Sequence, residues 1–204
     1  MSSKDYFEKV AGQWDEMRSG FFSEKVRETA YRVADIKSGK QAADIGAGTG
    51  FVTEGLVRRG LDVIAVDQSD AMLEQLKKKF QGLHCRRGEA EDLPVADEAV
   101  DYVFANMYLH HVARPSSAIK EMTRILRKGG RLVITDLDEH NFEFLKSEHH
   151  DRWMGFKREN VKNWFKASGL DDVEVACVNQ DCCADSSDGM SSARVSIFVA
   201  SGTK

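Results

Sequence analysis

The residues of this 204-residue chain that could do chemistry gather just after short apolar runs. The densest group is QAADIGAGTGFV, residues 41–52, where Gly46, Gly48 and Gly50 alternate and Asp44 stands at their mouth. A side chain at these glycines would hold the backbone away from a ligand, and glycine also permits a tight turn. A dinucleotide site would read G-x-G-x-x-G and set a diphosphate on the next helix N-terminus. Here the third glycine comes one residue early, and Asp44 is poor company for a diphosphate but good company for a cation. The expected ligand carries an ammonium or sulfonium group. Asp67 ends a second apolar run in VIAVDQS, the position from which a carboxylate accepts hydrogen bonds from ribose hydroxyls. The turn in RRGEAEDLP can offer the Ala90 amide and the Glu89 or Glu91 carboxylate to an adenine edge.

Such groups need elements to hold them. Residues 40–45, 62–67, 83–88, 100–106 and 131–136 read as strands. Between them, 51–60, 69–80 and 115–130 have helical spacing, the last opening on Pro115 and closing on a glycine pair. A helix over 160–169 follows, then two extended runs, 172–178 and 193–200, that should pair antiparallel. Strands alternating with crossover helices predict an α/β fold, a parallel sheet covered on both faces. The 180–192 segment reads as a flexible loop, and residues 1–25 as one or two helices laid over the domain. The length suits a single domain, 1–204. Net charge is −4, which gives no general pull toward nucleic acid or an anionic membrane. The apolar runs are strand-sized, so no membrane span is expected. The N-terminus lacks a signal-peptide core. The cysteines, Cys85, Cys177, Cys182 and Cys183, are expected as reduced thiols in a cytoplasmic protein.

In order and spacing, DIGAGTG, AVDQS, GEAEDLP, VDYVFANMYLHHV and LRKGGRLVITD resemble the class I S-adenosylmethionine-dependent methyltransferases, over residues 40–204. The broad ubiquinone/menaquinone-type, small-molecule group is the nearest resemblance. It implies a Rossmann-like seven-stranded sheet in the order 3-2-1-4-5-7-6, mostly parallel, with strand 7 antiparallel and helices on both faces. The implied cofactor is S-adenosyl-L-methionine, leaving as S-adenosyl-L-homocysteine. Asp44, Gly46, Gly48 and Gly50 would meet its methionine end and Asp67 its ribose. Gln68 and Met72 would flank the adenine, with Ala90 and Glu89 at its edge, and Asn106 and Met107 would lie near its amine. Relatives opening with a pattern like YFEKVAGQWD use that segment as a lid, here residues 1–30, placing Tyr6, Phe7, Trp14, Phe21 and Phe22 over the site.

Ligands of an open parallel sheet bind at the strand carboxyl ends. After strand four these offer Asn106, Tyr108, His110 and His111, and after strand five Asp136, Asp138, Glu139 and His140. Tyr108 is placed with the acceptor. His110, His111 and Asp136 are the candidates to take a proton from it. The resulting expectation is methyl transfer to a small-molecule acceptor by in-line displacement. A thiol- or metalloid-directed methyltransferase using Cys182 and Cys183, and a non-catalytic cofactor-binding protein, stand as alternatives. Adjacent cysteines chelate one ion poorly, C-x-x-C is absent, and arsenite methyltransferases usually carry a cysteine just after strand four, where this chain reads ANMYLHH. No metal is therefore assigned. Lysines and arginines in LKKKF and RILRKGGR sit at helix C-termini, where they complement the dipole, so no nucleic-acid partner is expected.

Overall fold

The computed structural model describes residues 3–204. Three helices come first: α1 (Ser3–Val10), α2 (Trp14–Phe21) and α3 (Lys25–Ala34). Strand and helix then alternate through β1 (Gln41–Ile45), α4 (Phe51–Arg58), β2 (Asp62–Asp67), α5 (Asp70–Lys79), β3 (His84–Arg87) and β4 (Val100–Asn106). A one-turn 3-10 helix, Leu109–His111, leads into α6 (Pro115–Ile125), β5 (Leu126–Leu137), α7 (Glu143–Glu148), α8 (Arg158–Ala167), β6 (Asp171–Asp185) and β7 (Ser192–Thr203).

The seven strands form one sheet in the order β3-β2-β1-β4-β5-β7-β6. Pairing is parallel throughout β3, β2, β1, β4 and β5, while β7 runs antiparallel to both β5 and β6. This is the expected topology. Side chains alternate across a strand, and here both faces are covered. Ala43, Ile45, Val103, Ala105, Leu132 and Ile134 pack with α6 and α8. Their neighbours Ala42, Tyr102, Phe104 and Val133 pack with α3 and α4.

Several boundaries differ from the sequence expectation. The helix expected to run to Gly130 ends at Ile125, and Leu126 already pairs with Val100. The cause is local. Gly129 sits at φ +77°, and a Cβ on Gly130 would meet the Arg127 and Asp101 carbonyls within 2.9 Å. The 180–192 segment is mostly strand: beyond an irregularity after Cys177, Asp181–Asp185 pairs with Ser192–Ser196, leaving a short connection around Gly189. The end of the 1–30 segment expected as a lid is core structure. Val26, Ala30, Tyr31 and Ala34 of α3 are buried core, so only α1 and α2 lie over the sheet edge.

α1 and α2 are latched by specific groups. The Ser69 hydroxyl caps α5 by accepting the Met72 amide, and the Glu8 carboxylate of α1 accepts the Asp70 and Ala71 amides at 2.9 and 3.2 Å. The orphan amides of one helix are thus partnered from another. Asp15 of α2 accepts the Thr49 hydroxyl and pairs with Lys79.

Candidate functional site

Strand order reverses between β1 and β4, because β1 leads outward to β2 and β3 while β4 starts the other half. The carboxyl ends of a sheet open a crevice at such a point. The turn after β1 forms one wall. Gly46 and Ala47 donate to the Val66 carbonyl, and the Gly48 amide donates to Asp67 Oδ2 at 2.8 Å. Asp67 Oδ1 accepts the Ser69 amide at 2.9 Å. Each carboxylate oxygen keeps a second lone pair. Asp44 Oδ2 accepts both the amide and the hydroxyl of Thr53, at 2.9 and 2.7 Å. Burial pushes Asp44 up to about 7, against the two Thr53 hydrogen bonds. Asp67 is raised as well, again by burial, although the Ser69 and Gly48 amides oppose the shift.

The crevice is lined by Asp44, Gly46, Gly48, Asp67, Gln68 and Met72, with Asn106 and Met107 across from them. The Thr135 hydroxyl donates to Asn106 Oδ1 and fixes that side chain. Met107 adopts φ +50°, uncommon for a residue with a side chain, which turns the chain sharply off β4.

Three expected cofactor residues stand outside this lining. Gly50 caps α4 at φ +99°, and a Cβ there would lie 2.3 Å from Leu76 of α5. Its role is close helix packing. Gly50→Ala should cost about 2–4 kcal/mol of stability, combining a left-handed alanine with overpacking, as urea unfolding would report. A loss below about 0.5 kcal/mol would contradict the packing role. Ala90 and Glu89 are screened by Tyr108. The Tyr108 hydroxyl lies by the Ala90 amide, and its ring crosses Gly46, where a Cβ would meet the ring at 2.3 Å. Tyr108 lines the glycine-turn crevice. Burial raises its phenol, and the Asp67 charge adds to the rise.

A second cavity adjoins the first. Phe7, Trp14, Phe22, Met107 and His111 line both. The second adds Tyr6, Phe21, Leu137, Leu145 and Ala184 as further walls, with His110, His149, Asp151 and Cys182 as its polar and thiol groups. His110 Nδ1 lies 2.6 Å from Asp136 Oδ1, deep under the sheet edge. Burial alone would lower His110, but the Asp136 and Asp151 carboxylates hold it up at about 9. His111 lies well below the usual imidazole range, through burial and then the neighbouring His110 charge. Its side chain is 6% exposed, and its Nδ1 has no hydrogen-bond partner among the described residues. Asp151 was missed from sequence. It follows α7, distant in sequence from β4, and only its place in EHHDRW hints at chemistry.

Asp138, His140 and the remaining cysteines lie elsewhere. Asp138 is held by Arg158 through two hydrogen bonds, 2.7 and 2.6 Å. His140 lines a separate surface hollow with Arg194. Cys182 faces the second cavity, where burial pushes its thiol up to about 12. Cys183, one residue on, lines a hollow with Asn179 and Arg194, since successive strand residues point to opposite faces. The adjacent pair cannot hold one ion together.

Residues 43–134 match the family described as "Methyltransferase domain". The chain is 35% identical over 162 residues to 2-methyl-6-phytyl-1,4-hydroquinone methyltransferase 2, chloroplastic, of Oryza sativa subsp. japonica, covering 76% of this chain and 46% of that protein. It is 33% identical over 133 residues to demethylmenaquinone methyltransferase of Paenarthrobacter aurescens, covering 64% and 53%. Residues 43–134 are a methyltransferase domain. The chain spans about half the length of the curated relatives it matches. Its fold is shared with a solved S-adenosylmethionine-dependent methyltransferase of Thermotoga maritima, at TM-score 0.73 and 22% identity over 99% of each chain. It is shared too with a putative methyltransferase solved with the Haloferax volcanii Trm112 activator, at TM-score 0.78 and 18% identity over 99% and 97%.

Proposed function

We propose that the chain transfers a methyl group from S-adenosylmethionine to a small, largely apolar acceptor with a hydroquinone-type ring. The observation that carries this is the pair of adjoining cavities, one holding the Asp44 and Asp67 carboxylates, the other walled by aromatic and aliphatic side chains, meeting at Met107 and His111. The names of the relatives support the ring class. The unpaired state of all four cysteines suits a reducing compartment such as the cytoplasm. No described helix is long and apolar enough to cross a membrane.

The residues fit the cofactor. A Cβ on Gly48 would meet nothing nearer than Trp14 Nε1 at 3.6 Å, so bare backbone faces the crevice. The spare lone pairs of Asp67 suit two ribose hydroxyls, and the buried Asp44 suits a positive charge. Arg18 of α2 lines the same crevice with its Nε unpartnered, placed to meet a carboxylate. Tyr108 stands between Gly46 and the Ala90 amide, where an adenine would lie. The crevice measures about 60 Å³, so Tyr108 must swing aside for a nucleoside to enter.

The cofactor supplies an electrophilic methyl on a sulfonium. The chain's own part is to hold the acceptor in line and exclude water, worth about 7–11 kcal/mol where the geometry is good. Phe7, Trp14 and Phe22 close both cavities from the lid. The neutral His111 presents Nδ1 to the acceptor hydroxyl and takes its proton. Asp136 fixes the His110 ring behind it. Incubating the protein with methyl-labelled cofactor and a set of hydroquinones tests the reading: label should appear on the ring compound. Tight cofactor binding without transfer to any such acceptor would contradict it.

Cofactor affinity should depend on pH through Asp44. Its folded value of about 7 lies above the ordinary carboxyl value, so below about pH 7 the buried group is mostly protonated. A cation bound beside it favours the ionised form, and binding then releases a proton. Affinity should fall by up to about tenfold per pH unit below 7 and level off above it. Calorimetry in buffers of different ionisation enthalpy should show proton release near pH 6.5. A flat affinity from pH 6 to 8 would contradict a cation at Asp44.

A further inference from the structure

His110, His111 and Asp151 bring three metal-ligating atoms within 4.8 Å of one another. The backbone enforces this meeting: the Arg152 and Trp153 amides both donate to the His110 carbonyl at 3.0 Å, pinning the loop after α7 against the turn after β4. His110 uses Nδ1 on Asp136, and its Nε2 stops 3.7 Å from Asp151 Oδ1. His111 Nδ1 stops 3.9 Å from the same oxygen. Both separations are too long for hydrogen bonds. The buried His111 Nδ1 therefore faces a buried carboxylate without bonding to it, and His110 Nε2 converges on the same oxygen. A buried nitrogen without a partner needs a reason.

We propose that His110 Nε2, His111 Nδ1 and Asp151 Oδ1 bind a divalent first-row transition-metal ion, with an open position facing the aromatic cavity. Two imidazoles and one carboxylate form a donor set suited to zinc or ferrous iron. Ligand atoms around a tetrahedral ion with bonds near 2.0–2.1 Å stand about 3.3 Å apart, so each atom here has to move less than about 1 Å. The surrounding groups match as well. Metal-bound histidines pass their other nitrogen to a carboxylate or carbonyl. Asp136 takes that place for His110. Cys182 and Cys183 are the other soft donors near this edge. The strand geometry separates those thiols, and the imidazoles supply the better cluster.

The consequence for the acceptor rests on the proposed function, but the binding does not. With the ion in place, an acceptor hydroxyl would meet the metal, which makes the hydroxyl easier to ionise. His111 would then serve as ligand in place of proton acceptor.

Chelator-treated full-length protein, near about pH 8, where the ion has to displace the proton on His110, should be titrated with Zn²⁺ by calorimetry and with Co²⁺ by visible absorption. The expected result is a single equivalent bound at submicromolar Kd, with Co²⁺ ligand-field bands displaced by Zn²⁺. Asp151→Asn and His111→Gln should each weaken zinc binding at least about 100-fold, and Asp136→Asn by about 10–100-fold. S-adenosylhomocysteine binding, followed on the same samples, reports that each variant is folded. Zinc binding weaker than about 100 µM, or equal affinity in the Asp151→Asn protein, would overturn the metal site. Loss of S-adenosylhomocysteine binding in the parent protein would instead strike at the proposed function and leave the zinc result to be read by itself.

Discussion

Asp67→Ala is expected to weaken S-adenosylmethionine binding by about two to four orders of magnitude. The buried carboxylate ends β2 and faces the crevice with a spare lone pair on each oxygen. Two hydrogen bonds from ribose hydroxyls to a charged acceptor are worth about 1.5–3 kcal/mol each. The substitution also frees the Gly48 and Ser69 amides, so the glycine turn loses its brace. Both effects act on affinity in the same direction. Asp67→Asn separates them in part, since its carbonyl can still accept one amide. It should bind more tightly than the alanine variant and more weakly than the parent. S-adenosylhomocysteine shares the ribose and should lose affinity in parallel. Equal cofactor affinity in parent and Asp67→Ala proteins would remove the ribose assignment.

His111→Gln is expected to lower kcat by about 10²–10⁴-fold, the range for loss of a positioned proton acceptor, while leaving cofactor affinity within a few-fold. The imidazole sits where the two cavities meet, edge-on to Phe7 at 5.0 Å and against His110 at 4.1 Å. Glutamine fills much of the same space but offers no comparable base. If His111 only packed against Phe7 and His110, glutamine would cost stability and leave turnover nearly intact. A transfer assay with labelled cofactor, run beside thermal unfolding, distinguishes these outcomes. Unchanged kcat with a lowered Tm would assign His111 to packing alone.

Much of the architecture was legible because it depends on local pattern. The apolar runs ending in Asp44, Asp67 and Asn106 mark β1, β2 and β4, and the glycine turn declares the crevice between them. The β6 extension was not legible. DCCAD lacks the β-branched and aromatic residues that mark a strand, and pairing with β7 carries it instead. Gly50 also packs against Leu76 of α5, a contact no spacing within the motif reveals. Asp151 reaches His110 and His111 only through the loop after α7, whose path depends on the His110 carbonyl binding two amides.

Calorimetric titration of the protein with S-adenosylmethionine and S-adenosylhomocysteine, at a pH above that of Asp44 ionisation, puts the least between the central claim and its test. Saturable binding of each ligand at one site per chain, lost in Asp67→Ala, is the predicted result. An absence of heat with both ligands at millimolar concentration, together with an unfolding temperature that neither ligand raises, would contradict it.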